Sequence, residues 1–339
     1  MNKITYLFGA GASAQSLPTV IGIPSSMLDV ISILQNNTLQ LDLHTTFPDL
    51  KLEDGKKQID YQKELIGSLI WLHENCMNHS SVDTFAKKLY LKRQSNDLRR
   101  LKVTLSAFFI ILQARNPLDL RYDTFYASIF SSLTDLPKNI KILSWNYDYQ
   151  FELSMSGFSD TNNILHNQDR LRIKSKYGDV YSSEGFEIYK LNGTTGFVSN
   201  DNMRRQFVYV EELKHTPKIS KDFIATVVRN YAAGMYFGHI NSALSFAWEQ
   251  DNKGGIVSKA IDAVIDTDVL VVVGYSFPFF NRDIDKQIIN AMSKLRKVYF
   301  QAPDADDLKE RFQALRDNME PSRLVTKFDT NQFLLPNEL

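Results

Sequence analysis

The chain has 339 residues, 43% of them hydrophobic and 23% charged, and its 39 basic side chains balance 39 acidic ones. This length supports a substantial core and this composition is that of a globular chain, while zero formal charge removes any global drive toward nucleic acid or an anionic membrane surface. A single cysteine, Cys76, excludes an internal disulfide and a cysteine-built zinc ribbon.

Residues 3–8 are β-branched, aromatic and aliphatic, the pattern of a buried strand. They run into Gly9-Ala10-Gly11-Ala12-Ser13, where the small residues predict the opening of a helix. Such a corner aims backbone N–H groups and the positive end of a helix dipole at a phosphate. Ser25-Ser26 predicts a cap for a helix near 27–35, and 37–56 read as a polar surface excursion. From 57 to 134 apolar residues recur at spacings of three and four, predicting helices over 61–75, 82–91, 98–113 and 118–133 with no strand signal. Residues 140–145 predict a strand. Short strand-like pieces follow at 171–173, 187–191 and 206–210, then helices at 220–233 and 253–265. Residues 268–273 are nearly all aliphatic, as a central parallel strand covered on both faces should be. A helix at 281–295, a strand at 297–300, a helix at 304–316 and a strand near 323–328 complete the pattern. Strand–helix alternation at both ends predicts a doubly wound, mostly parallel α/β sheet. The expected organisation is one domain over 1–339 with a helical insertion at about 57–134, and ligands of such a sheet sit beyond the carboxyl ends of its strands.

No apolar run reaches the ~20 residues of a membrane span; the longest, Val269–Val273, ends at Gly274. With no leader ahead of the first strand, the expected compartment is the reducing cytoplasm.

Four segments at predicted strand ends could carry chemistry. In Gly9–Ser13, Gly9 suits a tight turn, Gly11 a close ligand approach and Ser13 a hydroxyl donor to phosphate; the plain alternative is a strand–helix turn packed through its glycines. Asn146 and Asp148, in Ser144-Trp145-Asn146-Tyr147-Asp148, could face one crevice or form an ordinary turn. Leu191-Asn192-Gly193-Thr194 reads by itself as a glycine turn. Val273-Gly274-Tyr275-Ser276-Phe277 suits either a nucleotide edge or a packed βα turn.

In this order and spacing the four segments resemble the sirtuin superfamily, and within it the bacterial sirtuin-like NAD⁺-consuming domains of antiphage defence. Ser81-Val82-Asp83-Thr84-Phe85-Ala86 in the helical block is similar to that branch, and the resemblance spans about residues 4–300. It implies a sirtuin-like Rossmann-type fold and NAD⁺ as substrate or ligand. Gly9, Ala10, Gly11 and Ser13 would meet phosphate and ribose. Asn146 would position the nicotinamide ribose or the attacking water, and Asp148 would hold the nicotinamide amide. Gly274 and Ser276 would lie near the adenosine, with Pro303 bordering the adenine.

One departure bears on catalysis. Where the family carries a catalytic His in a Leu-His-Gly turn, this chain has Asn192. Asn takes up no proton near neutral pH, and loss of a general base costs about 10²–10⁴-fold in rate; a group that only binds a ribose hydroxyl could be replaced by Asn. His166 is a possible substitute, although a loop or surface histidine is the favoured reading of it. The other histidines show no ligand-pair spacing, so no metal and no zinc are expected. The expected function is NAD⁺ glycohydrolysis to nicotinamide and ADP-ribose in antiphage defence, as a homo-oligomer with a partner chain such as an ATPase. The alternative is a catalytically weak or inactive NAD⁺- or ADP-ribose-binding subunit that regulates a partner ATPase or nuclease.

Overall fold

Aliphatic five-residue runs at 4–8, 140–144 and 269–273 can bury every side chain only in the middle of a sheet covered on both faces. The computed structural model places them there; it describes residues 1–39, 56–177, 185–199, 206–208, 213–249 and 255–339. In chain order the elements are β1 (Ile4–Phe8), α1 (Ile23–Asn36), α2 (Gln58–Met77), α3 (Val82–Leu91), α4 (Ser95–Arg115), α5 (Leu120–Ile129), β2 (Ile140–Ser144), α6 (Gln150–Ser159), α7 (Ile164–Arg170), β3 (Ile173–Lys174), β4 (Glu187–Lys190), β5 (Gly193–Ser199), β6 (Gln206–Val208), α8 (Lys221–Tyr236), β7 (Ile240–Leu244), α9 (Ile256–Ala263), β8 (Val269–Val273), α10 (Arg282–Ala291), β9 (Lys297–Gln301), α11 (Ala305–Gln313) and β10 (Leu324–Lys327). Most of the polar excursion read at 37–56, and the last two residues of the strand read at 206–210, lie outside the described residues.

The chain divides into two compact units. The first comprises Met1–Gln15, Leu118–Thr194 and Ser245–Leu339. Its seven strands form one sheet in the order β10-β9-β8-β1-β2-β4-β3, and every pairing is parallel. Period-two alternation sends Leu7, Leu143, Leu270 and Val272 to one face, against Ala260 of α9, Ile288 of α10 and Phe312 of α11. It sends Tyr6, Phe8, Ile142 and Val271 to the other, against Tyr122 and Phe125 of α5 and Phe151 of α6. Helices therefore cover both faces, the doubly wound arrangement that the alternation predicts. Register aligns Phe8 with Ser144 on one side and with Val273 on the other, so β1, β2 and β8 end level. Strand order reverses between β1 and β8, which is where open α/β sheets place their ligands.

The second unit comprises Ser16–Pro117 and Thr195–Leu244. It holds α1–α4 and α8 together with a three-stranded sheet ordered β6-β5-β7. Thus α2, α3 and α4 of the helical block lie in this unit, whereas α5 belongs to the sheet unit. Residues 103–114 of α4 are buried without interruption, as the central helix of a bundle must be. Arg99 donates to the carbonyls of Gly234, Phe237 and Ile240, tying the end of α8 to the start of β7.

Candidate functional site

The β1 corner is built by close backbone packing. Gly9 N–H donates to Val273 O and Gly11 N–H to Gly274 O, each at 3.0 Å. A Cβ on Gly9 would sit 2.5 Å from Tyr275 Cα, and one on Gly11 would sit 2.7 Å from Gly274 Cα. Gly274 has φ +57°, the left-handed region that glycine tolerates. These glycines let the loops after β1 and β8 touch. The helix expected after Gly11 is absent: Ala10–Ser13 form a single 3₁₀ turn. Without a run of aligned peptide units there is no helix macrodipole at this corner, and the N–H groups of Gly9, Gly11 and Ala12 already have backbone acceptors.

Beside this turn the loop after β2 delivers Asn146 and Asp148. Asn146 Nδ2 donates to Gly9 O at 2.8 Å and to Ser13 Oγ at 3.3 Å. Ser13 Oγ donates to Asp148 Oδ2 at 2.8 Å and lies 2.9 Å from the Tyr122 hydroxyl. The Ser13 proton serves Asp148, so Tyr122 donates to Ser13, whose one proton and two lone pairs are then all in use. Asp148 Oδ1 accepts the Gln150 N–H at 3.1 Å, which satisfies the first free N–H of α6. Ser13, Asn146 and Asp148 are all buried. Burial, then the nearby Asp148 charge, hold the Tyr122 phenol well above its ordinary range.

Two buried ion pairs hold these pieces, and the sequence reading singled out neither. Arg121 grips Asp119 through two hydrogen bonds, of 2.9 and 2.6 Å, and donates to Gly11 O and Ala12 O at 3.2 and 3.0 Å, fixing the 3₁₀ turn from outside. Lys190, with no exposed surface, donates to Asp148 O and stands 3.5 Å from Glu152, which is equally buried. Desolvation raises the Glu152 carboxyl pKa; the Lys190 charge and a 3.0 Å hydrogen bond from Gln168 oppose it. A lysine inside the strand-like piece read at 187–191 was the available signal for this pair, because a charge that such a strand buries needs a partner.

The remaining predicted residues are placed as follows. Asn192 Nδ2 donates to Trp145 O at 3.0 Å, and its Oδ1 accepts the Ala247 N–H at 3.1 Å, so the amide brackets two backbone segments. Ala10 lies in the 3₁₀ turn and Gly274 touches Gly11. Ser276 is exposed and its carbonyl accepts from Arg311 at 2.7 Å; no hydrogen bond joins it to Ser13 or Asn146. His166 and Pro303 are exposed.

On the opposite face, the Tyr275 ring stacks on Trp145 at 5.6 Å and its hydroxyl contacts both carboxyl oxygens of Asp285, at 3.0 and 2.9 Å. Asn281 donates to that hydroxyl at 3.1 Å. Burial raises the Asp285 pKa to about 8, with Tyr275 and then Trp145 opposing it; the Trp145 indole N–H nevertheless closes no hydrogen bond of normal geometry. Asp285 shares a three- and four-residue spacing with Ile288 and Ile289, so its place on the apolar stripe of α10 was readable.

Among the described residues no cluster of three or more His, Cys, Asp or Glu side chains could hold a metal ion, and no helix is long and apolar enough to cross a membrane. No protein-family model matches the chain, and no curated protein matches it. The corner combines neutral donors, each committed to a protein acceptor, with one carboxylate and tightly held backbone.

Proposed function

We propose that the sheet unit is a sirtuin-like NAD⁺-binding module that holds the dinucleotide beyond the carboxyl ends of β1, β2 and β8. One observation carries this reading: the glycine turn after β1 and, more than a hundred residues later, Asn146 and Asp148 after β2 share hydrogen bonds at the carboxyl ends of neighbouring strands, next to the β1–β8 reversal of strand order. Stable binding without efficient turnover is the favoured form, because the Asn192 amide is committed to Trp145 and Ala247 and could not serve as a base in any case. In this form the protein is a regulatory subunit of a partner such as a defence ATPase or nuclease.

Glycohydrolysis is the second reading, favoured by the meeting of Asn146 and Asp148 in one network. Loss of nicotinamide from an oxocarbenium-like centre rests on orientation and electrostatics. Asn146 would position the ribose or water and Asp148 the nicotinamide amide, each exchanging a present partner for the ligand. Calorimetry with NAD⁺, followed by chromatography of the recovered nucleotide, separates the two. Binding with intact NAD⁺ recovered supports the first reading; nicotinamide release that disappears in Asn146→Ala supports the second. Neither heat nor release, from the chain alone or assembled, would sink both.

A further inference from the structure

The helical unit has a cleft of its own, with about 260 Å³ of space between α2, α3 and the start of α4. Its α2 wall carries Trp71 and, just beyond the helix, His79, and its α3 wall carries Phe85, Lys88 and, just beyond that helix, Lys92. Trp71 and Asn75 on α2, and Phe85, Lys88 and Leu89 on α3, recur at helical spacing, so each helix presents one face to the cleft. Three rings meet there: Trp71 and Phe85 lie 5.5 Å apart, and His79 and Phe85 4.9 Å apart. The Arg100 guanidinium lies 4.5 Å from the Trp71 ring centre, a cation–π contact that holds the indole before any ligand arrives.

The charges at the rim are unbalanced. His79 Nδ1 stands 2.7 Å from Asn75 O, which can only accept, so Nδ1 carries the proton. The lone pair on Nε2 then accepts from Lys88 Nζ at 3.2 Å. Lys88 therefore meets a neutral ring rather than a carboxylate, and among the described residues Lys92 has no ion-pair partner. One acid, Asp97, lines the cleft.

We infer that this cleft is a binding site for a nucleoside monophosphate. Rings supply a stacking wall for the base, the two ammonium groups take the phosphate, and Asp97 accepts from a sugar hydroxyl. A volume of about 260 Å³, just below the ~300–1,000 Å³ of pockets for drug-sized ligands, is on the scale of a single nucleotide. The site is independent of the corner proposed to hold NAD⁺.

Titration calorimetry of the full chain with adenosine 5′-monophosphate, adenosine and inorganic phosphate tests it. The monophosphate should bind more tightly than either fragment and more weakly as salt rises. The double variant Lys88→Gln, Lys92→Gln alters two exposed side chains and should leave the fold intact, so thermal denaturation checks that control; monophosphate affinity should fall about ten-fold or more. No binding of the monophosphate, equal binding of either fragment, or an affinity indifferent to both lysines would overturn the inference. Because the lysines lie in the helical unit, their effect separates this site from monophosphate binding at the β1 corner.

Discussion

Asp285 shows at the scale of one residue how the fold alters ordinary chemistry. Its carboxyl is 1% exposed, with the Tyr275 hydroxyl against both oxygens and, among the described residues, no cation in an ion pair with it, and its pKa rises from an ordinary 3.8 to about 8. Between those values the folded state keeps a proton that the unfolded state has lost, so this residue makes stability fall as pH rises through that window. The limit is about 1.4 kcal/mol per pH unit. Asp285→Asn keeps an oxygen acceptor for Tyr275 and removes the titration. Its melting temperature relative to wild type should therefore improve steadily from pH 5 to pH 8. A difference that stays constant across that range would mean that Asp285 ionises normally.

Elements were legible where local pattern and tertiary demand agree. The helix read at 82–91 coincides with α3, whose Ser81 cap accepts the Thr84 N–H at 3.0 Å. The aliphatic strand read at 268–273 is β8. Neither α6 nor α7 was foreseen. Their serines and asparagines are weak helix formers, and they are held by non-local bonds instead, such as Asn167 Nδ2 to Glu152 O at 3.1 Å. Nor was β5, whose two glycines hide its strand character. The expected helix at residue 10 failed because Gly9 and Gly11 serve the approach of β8's loop, a purpose that local sequence does not reveal. That approach makes Gly274 the least replaceable glycine in the sheet unit. A Cβ there would lie 2.5 Å from Ala12 N and Gly11 Cα, and φ is +57°. Gly274→Ala should cost about 2–4 kcal/mol, combining left-handed strain with a backbone clash. Gly67, exposed in mid-α2 with no atom within 4 Å of its Cβ position, is the contrast, and Gly67→Ala should stabilise by about 0.5–1 kcal/mol. Urea midpoints measure both; equal midpoints for the two variants would refute the packing account.

Ser13, Asn146 and Asp148 meet in one hydrogen-bond network in the sheet unit while Ser276 stands outside it, and the groups holding that network come from distant stretches that no local reading connects. Arg121 is the clearest case. Besides Asp119 and the turn carbonyls it donates to Thr330 O at 3.1 Å, joining the β1 corner to a stretch more than three hundred residues further along. That stretch, 328–339, has no helix or strand, yet it packs on the sheet. Phe333 is buried against Phe8 and Tyr122, with ring centres 5.0 Å apart in each case. Tyr6 donates to Leu334 O at 3.0 Å, and Gln301 holds Leu334 N–H at 2.9 Å. The segment thus fills a place on the sheet face that a crossover helix would otherwise take. Phe333→Ala removes a ring from this aromatic cluster and should cost about 3–5 kcal/mol. It should also loosen the Gly9–Ser13 turn, because Arg121 loses both the ring 5.2 Å from its guanidinium and the packing that positions Thr330. Denaturant midpoints measure the first effect, and amide exchange at residues 9–13 measures the second. A lowered midpoint with unchanged exchange at the turn would confine Phe333 to core packing; a drop in both would establish that the stability of the corner depends on residues far outside the motif that marks it.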